Sequence, residues 1–267
     1  TTLRAWERIA PRYDVLYLGD SARAPYGPHG PETVTRFTEE GVAWLFAQGA
    51  TIVLIACHTA SADALRSLQT KYPERKILGV TIPAVEAALQ TTRFGRIGVI
   101  GTRGTIAAGN FEREITKLAP SHYQPDDKRA LPVPAVTSVA APLLVPLIEE
   151  GWLHKPETRS IIKSYLRPLK AANIDTLILG CTHYPLLCQE FDRLTGKRCQ
   201  VIDGGIAQAE SFADYLQRHP QIEQQLSTTG TKKFFTTDDA ERFRVLGSQF
   251  LQRKIASDAV QSAVLTN

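Results

Sequence analysis

Two cysteines, Cys57 and Cys181, stand in matching surroundings 124 residues apart. The first closes the apolar run Thr51-Ile52-Val53-Leu54-Ile55-Ala56 and is followed by His58-Thr59-Ala60. The second closes Asp175-Thr176-Leu177-Ile178-Leu179-Gly180 and is followed by Thr182-His183-Tyr184. Each segment reads as a buried strand, a small residue, a thiol, a Thr/His pair and a helix start. Open α/β sheets bind ligands at the carboxyl ends of their strands. Two such units facing each other would set two thiols on opposite walls of one cleft. A thiol at a helix N-terminus is biased toward thiolate by the local partial positive charge and the free N–H groups. A thiolate facing a thiol is an acid–base pair: one removes a proton from carbon and the other returns a proton to the opposite face. That is inversion of a stereocentre, and it needs two groups, because a lone base would return the proton to the side it came from.

Other chemistries stay open on these residues alone. Free cysteine is most often a small buried hydrophobe, which is how we read Cys188 and Cys199. Cys57-His58 and Cys181-Thr182-His183 also supply two thiolates and two imidazoles, the ligand types zinc takes. Their spacing is that of neither a finger nor a ribbon, and an adjacent Cys-His pair is awkward for one ion. A disulfide between the two would arise only as oxidative inactivation in a reducing compartment.

The elements that must hold the thiols follow from the rest of the chain. At 267 residues it suits one large or two modest α/β domains, and its 43% apolar and 22% charged content excludes disordered and fibrous classes. A net charge of +4, scattered along the chain, is too weak to argue for nucleic acid or a membrane surface. No apolar run approaches the roughly 18 residues of a membrane span, and the charged amphipathic opening Thr1 to Arg8 is unlike a secretory signal. Four cysteines make no disulfide scaffold. The expectation is a cytoplasmic globular protein.

Short β-branched runs alternate with amphipathic stretches, the pattern of parallel βα units. The spacing predicts strands at 14–18, 51–56, 77–80, 96–100, 176–179 and 200–202. Helices are predicted at 3–10, 31–48, 61–71, 84–91, 106–118, 139–150, 157–172 and 206–218, with a last one from about Ala240. The Pro-rich, charged stretch 120–134 reads as a surface loop. The sequence contains no Met, and we expect a further strand to precede Thr1.

At these residues the chain resembles the glutamate racemases of the aspartate/glutamate racemase superfamily. The resemblance is carried by Tyr17-Leu18-Gly19-Asp20-Ser21-Ala22-Arg23-Ala24-Pro25-Tyr26-Gly27, Ala56-Cys57-His58-Thr59-Ala60-Ser61 and Gly98-Val99-Ile100-Gly101-Thr102-Arg103-Gly104-Thr105. It continues through Leu144-Val145-Pro146-Leu147-Ile148-Glu149-Glu150-Gly151, Leu179-Gly180-Cys181-Thr182-His183-Tyr184-Pro185-Leu186-Leu187 and Phe235-Thr236-Thr237-Asp238-Asp239. It implies two pseudo-symmetric, doubly wound α/β subdomains with the active site in the cleft between them. We expect one subdomain from 1–92 plus 205–267 and the other from 93–204.

The resemblance further implies a racemase that interconverts L- and D-glutamate without a cofactor and supplies D-glutamate for peptidoglycan. Cys57 and Cys181 would be the bases. Asp20, Glu149 and His183 would support proton transfer, and Tyr26, Gly27, His58, Thr59, Thr182 and His183 would contact substrate. No lysine is placed in a motif that would support pyridoxal phosphate, and neither a metal nor a cofactor is expected. The partner is the small-molecule substrate, with no nucleic acid and no membrane, and a homodimer is compatible with the reading. The runner-up readings are an enzyme of the same superfamily acting on aspartate, a hydantoin or another acid, and a non-catalytic metal- or partner-binding relative.

Two features depart from the family. Its opening strand and Asp-Ser-Gly-x-Gly-Gly motif have no match here, and His58 stands where the family usually has Asn. Thr102 and Thr105 read as a plain tight turn, with carboxylate binding by its N–H groups as the sharper alternative. For His58 we expect a place in the cleft, where its charge would make activity depend on pH between about 5 and 8.

Overall fold

The computed structural model describes residues 1–125 and 127–265. In chain order its elements are α1 (Thr2–Ile9), β1 (Val15–Gly19), α2 (Pro31–Ala47), β2 (Ile52–Ile55), α3 (His58–Lys71), β3 (Lys76–Gly79) and α4 (Thr81–Thr91). They continue with β4 (Arg96–Gly101), α5 (Arg103–Ala107), α6 (Asn110–His122), β5 (Ala135–Ala140), α7 (Leu144–Glu149), α8 (Pro156–Ala171) and β6 (Thr176–Gly180). After a 3₁₀ turn at Tyr184–Leu187 come α9 (Cys188–Thr195), β7 (Gln200–Asp203), α10 (Gly204–Arg218), α11 (Pro220–Glu223), β8 (Lys232–Thr236), α12 (Ala240–Leu251) and β9 (Val260–Ser262).

All strand pairs are parallel. One sheet runs β5-β4-β6-β7, and the remaining strands form β1-β8-β9 and β2-β3. The runs predicted as strands at 96–100 and 176–179 become β4 and β6, the two central strands of the larger sheet, and the run at 51–56 becomes β2. Ile97, Val99 and Ile178 point to a core with α4 and α6, while Ile100, Leu177 and Leu179 point to the opposite core with α7 and α8. Both faces are covered, which is why Ile97–Ile100 and Leu177–Leu179 run on without a polar alternation. The same division runs through β2: Ile52 and Leu54 face α1 and α10, and Val53 and Ile55 face α2 and α3.

A buried carboxylate ties this sheet to the connection that enters it. Asp175, at the head of β6, accepts from the Thr92 hydroxyl (2.6 Å) and from the N–H groups of Arg93 (2.8 Å) and Phe94 (2.6 Å). Three donors on one carboxylate fix where the chain leaves α4 and begins β4.

Several boundaries differ from the sequence expectation. The helix predicted at 139–150 is an edge strand, β5, then a break at Pro142 and the short α7. Proline disfavours the helical conformation in the residue before it, so one helix cannot cover that run. The predicted helix 106–118 is two helices, α5 and α6, parted by Gly109 in the left-handed region (φ 62°). Strands β8 and β9 were not anticipated; β8 is held by pairing to β1, more than 200 residues away in sequence, and β9 pairs in turn with β8. The helix predicted from 61 begins at His58, immediately after Cys57. No helix of the described residues is long and apolar enough to cross a membrane.

Candidate active site

The chemistry-bearing residues collect where parallel strands end. Asp20 follows β1, Cys57 follows β2, Thr102 follows β4, Cys181 follows β6 and Thr237 follows β8. Side-chain bonds join the end of β1 to that of β8 and the end of β2 to that of β4.

Cys57 is the N-cap of α3, with extended backbone (φ −74°, ψ 123°). Burial pushes its thiol up, while the N–H groups of Ala60 and Thr59 and the Thr59 hydroxyl favour the thiolate. Cys181 has the same two influences: burial pushes it up to about 12, and the N–H groups of His183 and Tyr184 favour the thiolate. A charge on Cys57 raises it further, so the two sulfurs feel one another and the pair holds one negative charge more easily than two. The Cys181 turn is anchored from below by Tyr184, fully buried, whose hydroxyl donates to the Ala141 carbonyl (2.8 Å). Thr182 accepts at its carbonyl from the Thr1 hydroxyl (2.6 Å).

Cys181, His183 and Glu149 form a chain. The Cys181 Sγ lies 3.9 Å from His183 Nδ1, and His183 Nε2 lies 3.1 Å from Glu149 Oε1. The hydrogen bond from His183 holds the Glu149 carboxyl below the usual carboxylate range against the opposing effect of its burial. In the tautomer whose Nε2–H donates to the ionised Glu149, Nδ1 carries the lone pair that faces the Cys181 sulfur. Phe250 of α12 packs edge-on against the same ring (centroids 5.1 Å apart, 85° between planes).

On the other side, the Asp20 carboxylate takes donors from Arg23 (2.7 Å), the Tyr26 hydroxyl and the Thr237 hydroxyl (2.8 Å), and Arg23 also pairs with Glu40. Burial and the hydrogen bond to Asp20 push the Tyr26 phenol up. Asp20 therefore grips the loop that carries Tyr26 and Gly27. Gly27 needs its lack of a side chain: an added Cβ would lie 2.6 Å from Cβ of Thr102. Its carbonyl accepts from Gly104 N–H (3.0 Å). At the same corner the hydroxyls of Thr59, Thr102 and Thr105 form a buried triangle with edges of 3.0, 3.1 and 3.0 Å. Thr102 also caps α5 by accepting from Thr105 N–H (3.2 Å).

His58 lies elsewhere than expected. Its ring is 2% exposed, tilts against Phe111 of α6 at 5.6 Å, and presses on Gly204, where an added Cβ would sit 2.8 Å from Nε2. Burial drives its pKa down to about 3, so it is neutral throughout the range in which a cleft cation was expected. The helix start turns its side chain into the protein and leaves the N–H groups of the following residues on Cys57. Among the described residues no three His, Cys, Asp or Glu side chains converge as a metal's ligands would.

A pH test follows. The unfolded chain binds a proton on His58 below about 6.5, whereas the folded chain refuses it until about 3. This group's contribution is therefore intact above about pH 6.5 and is lost as pH falls, at about 1.4 kcal/mol per pH unit. His58→Asn should flatten the acid side of the stability curve, measured by urea unfolding at pH 7 and pH 5. It should leave the pH profile of kcat/KM between those values unchanged.

The sequence expectation gave no role to Thr237 and Phe250, and it read Thr102 and Thr105 only as a turn or a carboxylate site. Thr237 and Phe250 come from the last quarter of the chain and reach the site only by tertiary packing. The Thr102/Thr105 pair carries a capping signal, Thr three residues before a helical Thr, which marks the helix start and says nothing of Thr59.

The Asp/Glu/Hydantoin racemase family matches residues 2–212. A glutamate racemase from Levilactobacillus brevis is 37% identical over 268 aligned residues, covering 100% of this chain and 92% of that protein. In three dimensions the chain is similar to a glutamate racemase isoform from Bacillus anthracis, with a TM-score of 0.86, 32% identity and coverage of 99% and 94%. It is also similar to the glutamate racemase of Francisella tularensis solved in complex with D-glutamate, with a TM-score of 0.83, 27% identity and coverage of 99% and 92%.

Proposed function

The chain belongs to the Asp/Glu/hydantoin racemase family, and from that premise we propose that it interconverts L- and D-glutamate by a two-thiol mechanism, without a cofactor. The observation that carries this reading is the pair of strand-end thiols, Cys57 and Cys181. Each lies beneath N–H groups of the turn that follows it, and a charge on Cys57 raises the Cys181 thiol.

With the α-carbon of glutamate between them, one sulfur as thiolate takes the Cα proton and the other, as thiol, delivers its proton to the opposite face. Cys181 works with His183, whose Nδ1 accepts the thiol proton and returns it while Glu149 holds the ring's tautomer. Cys57 works with Thr59 and the N–H groups at the start of α3. Tyr26 and Gly27, gripped through Asp20, and Thr59 and Thr182 at the two thiol turns are the substrate contacts. His58 acts from behind the site, as packing between α3, Phe111 and Gly204. The product serves peptidoglycan synthesis in the cytoplasm.

The test is direct. L-glutamate incubated with the protein in D₂O should lose its optical rotation, and deuterium should appear at Cα of both enantiomers. Loss of rotation with aspartate or a hydantoin but not glutamate would reassign the substrate. No exchange with any of them would overturn the reaction class.

A further inference from the structure

The end of β2 is held by two buried side chains that the mechanism does not use. Ser61, in the first turn of α3, donates its hydroxyl proton to the Ile55 carbonyl at 3.1 Å. The same oxygen accepts from the Val80 N–H at 3.2 Å. Ile55 closes β2 and pairs with Gly79, which closes β3. The hydroxyl is therefore spliced between two strand ends and relays a hydrogen bond from the β3–α4 junction to β2. Gly79 lets it in: an added Cβ there would lie 3.0 Å from Ser61 Oγ. The Ser61 N–H also donates to the Cys57 carbonyl, at 2.8 Å. A third element reaches the same point. Gln208 of α10 donates from Nε2 to the Ile55 carbonyl at 3.3 Å, and both side chains are less than a tenth exposed. A carbonyl has two lone pairs and takes both donors, and the amide must present its nitrogen to it.

We propose that Ser61 and Gln208 are positioning residues for Cys57: through the Ile55 carbonyl they fix the end of β2, and with it the place of the sulfur two residues on. Ser61 grips the chain on both sides of the thiol, at the Ile55 carbonyl before it and at its own residue's carbonyl after it. The other wall has a counterpart in Tyr184, whose hydroxyl anchors the Cys181 turn on the Ala141 carbonyl. Each thiol turn is thus pinned by a buried hydroxyl three or four residues after its sulfur. Transfer of a proton from carbon is steep in distance, and a misplacement of about 1 Å can cost about 10²-fold. Neither anchor has to touch substrate to matter, and each acts on one wall alone. The inference rests on Cys57 being one of the two bases.

Handedness separates this role from a merely structural one. In elimination from a glutamate analogue with chloride at Cβ, one sulfur takes the Cα proton, the Cα–Cβ double bond forms and chloride leaves with its electron pair. Each enantiomer then reports on one wall, and Cys181→Ser, which keeps only Cys57, shows which enantiomer belongs to Cys57. Ser61→Ala should slow elimination from that enantiomer about tenfold and leave the other nearly unchanged. Gln208→Met, which removes a single donor from the side of α10, should act with the same handedness and a smaller effect. Hydrogen exchange read by mass spectrometry, which needs no turnover, should show faster exchange in peptides covering 56–61 and none of this in those covering 180–185. Equal slowing of both enantiomers in the folded variants would overturn the proposal, as would faster exchange at 56–61 with elimination unmoved. If Cys181→Ser eliminates from neither enantiomer, Cys57 is no base, and the proposal falls with that reading whatever Ser61→Ala does.

Discussion

Cys57→Ser and Cys181→Ser should each lower glutamate racemisation by about 10³-fold or more, because inversion needs a base on one face and an acid on the other. The two variants should nevertheless stay active in a reaction that needs only one base. A glutamate analogue carrying chloride at Cβ can lose its Cα proton and chloride ion, giving an enamine that hydrolyses to the keto acid and ammonia. Each variant retains one sulfur on one wall, so each should eliminate from a single enantiomer, and the two should choose opposite enantiomers. Release of ammonia from the separate L and D analogues measures it. Elimination from the same enantiomer in both would sink the two-wall geometry. The serines preserve size, and loss of the packing that Cys181 and Cys57 make in their clusters would lower both enantiomers alike, without opposite handedness.

His183→Asn should cost about 10²-fold in kcat, the usual worth of a positioned acid or base. Racemisation must fall equally in both directions, because the enantiomers are equal in energy and the ratio of the two kcat/KM values is fixed. The asymmetry shows only in elimination. The enantiomer deprotonated by Cys181 should react about 10²-fold more slowly, while the one deprotonated by Cys57 should be nearly unaffected. Glu149→Gln should have the same handedness and a smaller effect. An amide can still accept from Nε2–H, at 3.1 Å in the parent, but without charge it releases the tautomer that leaves Nδ1 bare. Equal loss from both enantiomers would assign His183 to substrate binding and not to Cys181.

The residues that carry this argument were largely visible in the sequence, because the signals are local. An apolar run, a small residue, a thiol and a helix start are consecutive, and they become β2–Cys57–α3 and β6–Cys181–Tyr184 with little change. What was hidden depends on contacts between distant segments. β8 holds its place through β1, Thr237 reaches Asp20 across 217 residues of sequence, and Phe250 reaches His183 from the last long helix. The one substantive misplacement, His58, came from assuming that a residue beside Cys57 shares its direction. A helix that starts at His58 itself turns successive side chains by about 100°, so neighbours in sequence need not be neighbours in the site.

The unlike exposure of the two sulfurs has a kinetic meaning. Cys181 is 7% exposed while Cys57 is only half-buried. On the two-thiol reading, every inversion leaves the resting protein with its mobile proton on the wall opposite to the one it started from. The free protein thus exists as two isomers that differ by one proton's address, and each accepts only one hand of substrate. Working repeatedly in one direction requires that this memory be erased between turnovers by exchange with water. The half-open Cys57 face and the Glu149 end of the His183 chain are the routes by which water can do so. At high concentration the opposite enantiomer arrives before the erasure is complete and rides the isomer just produced, so labelled product would be carried back to substrate faster than net conversion alone allows.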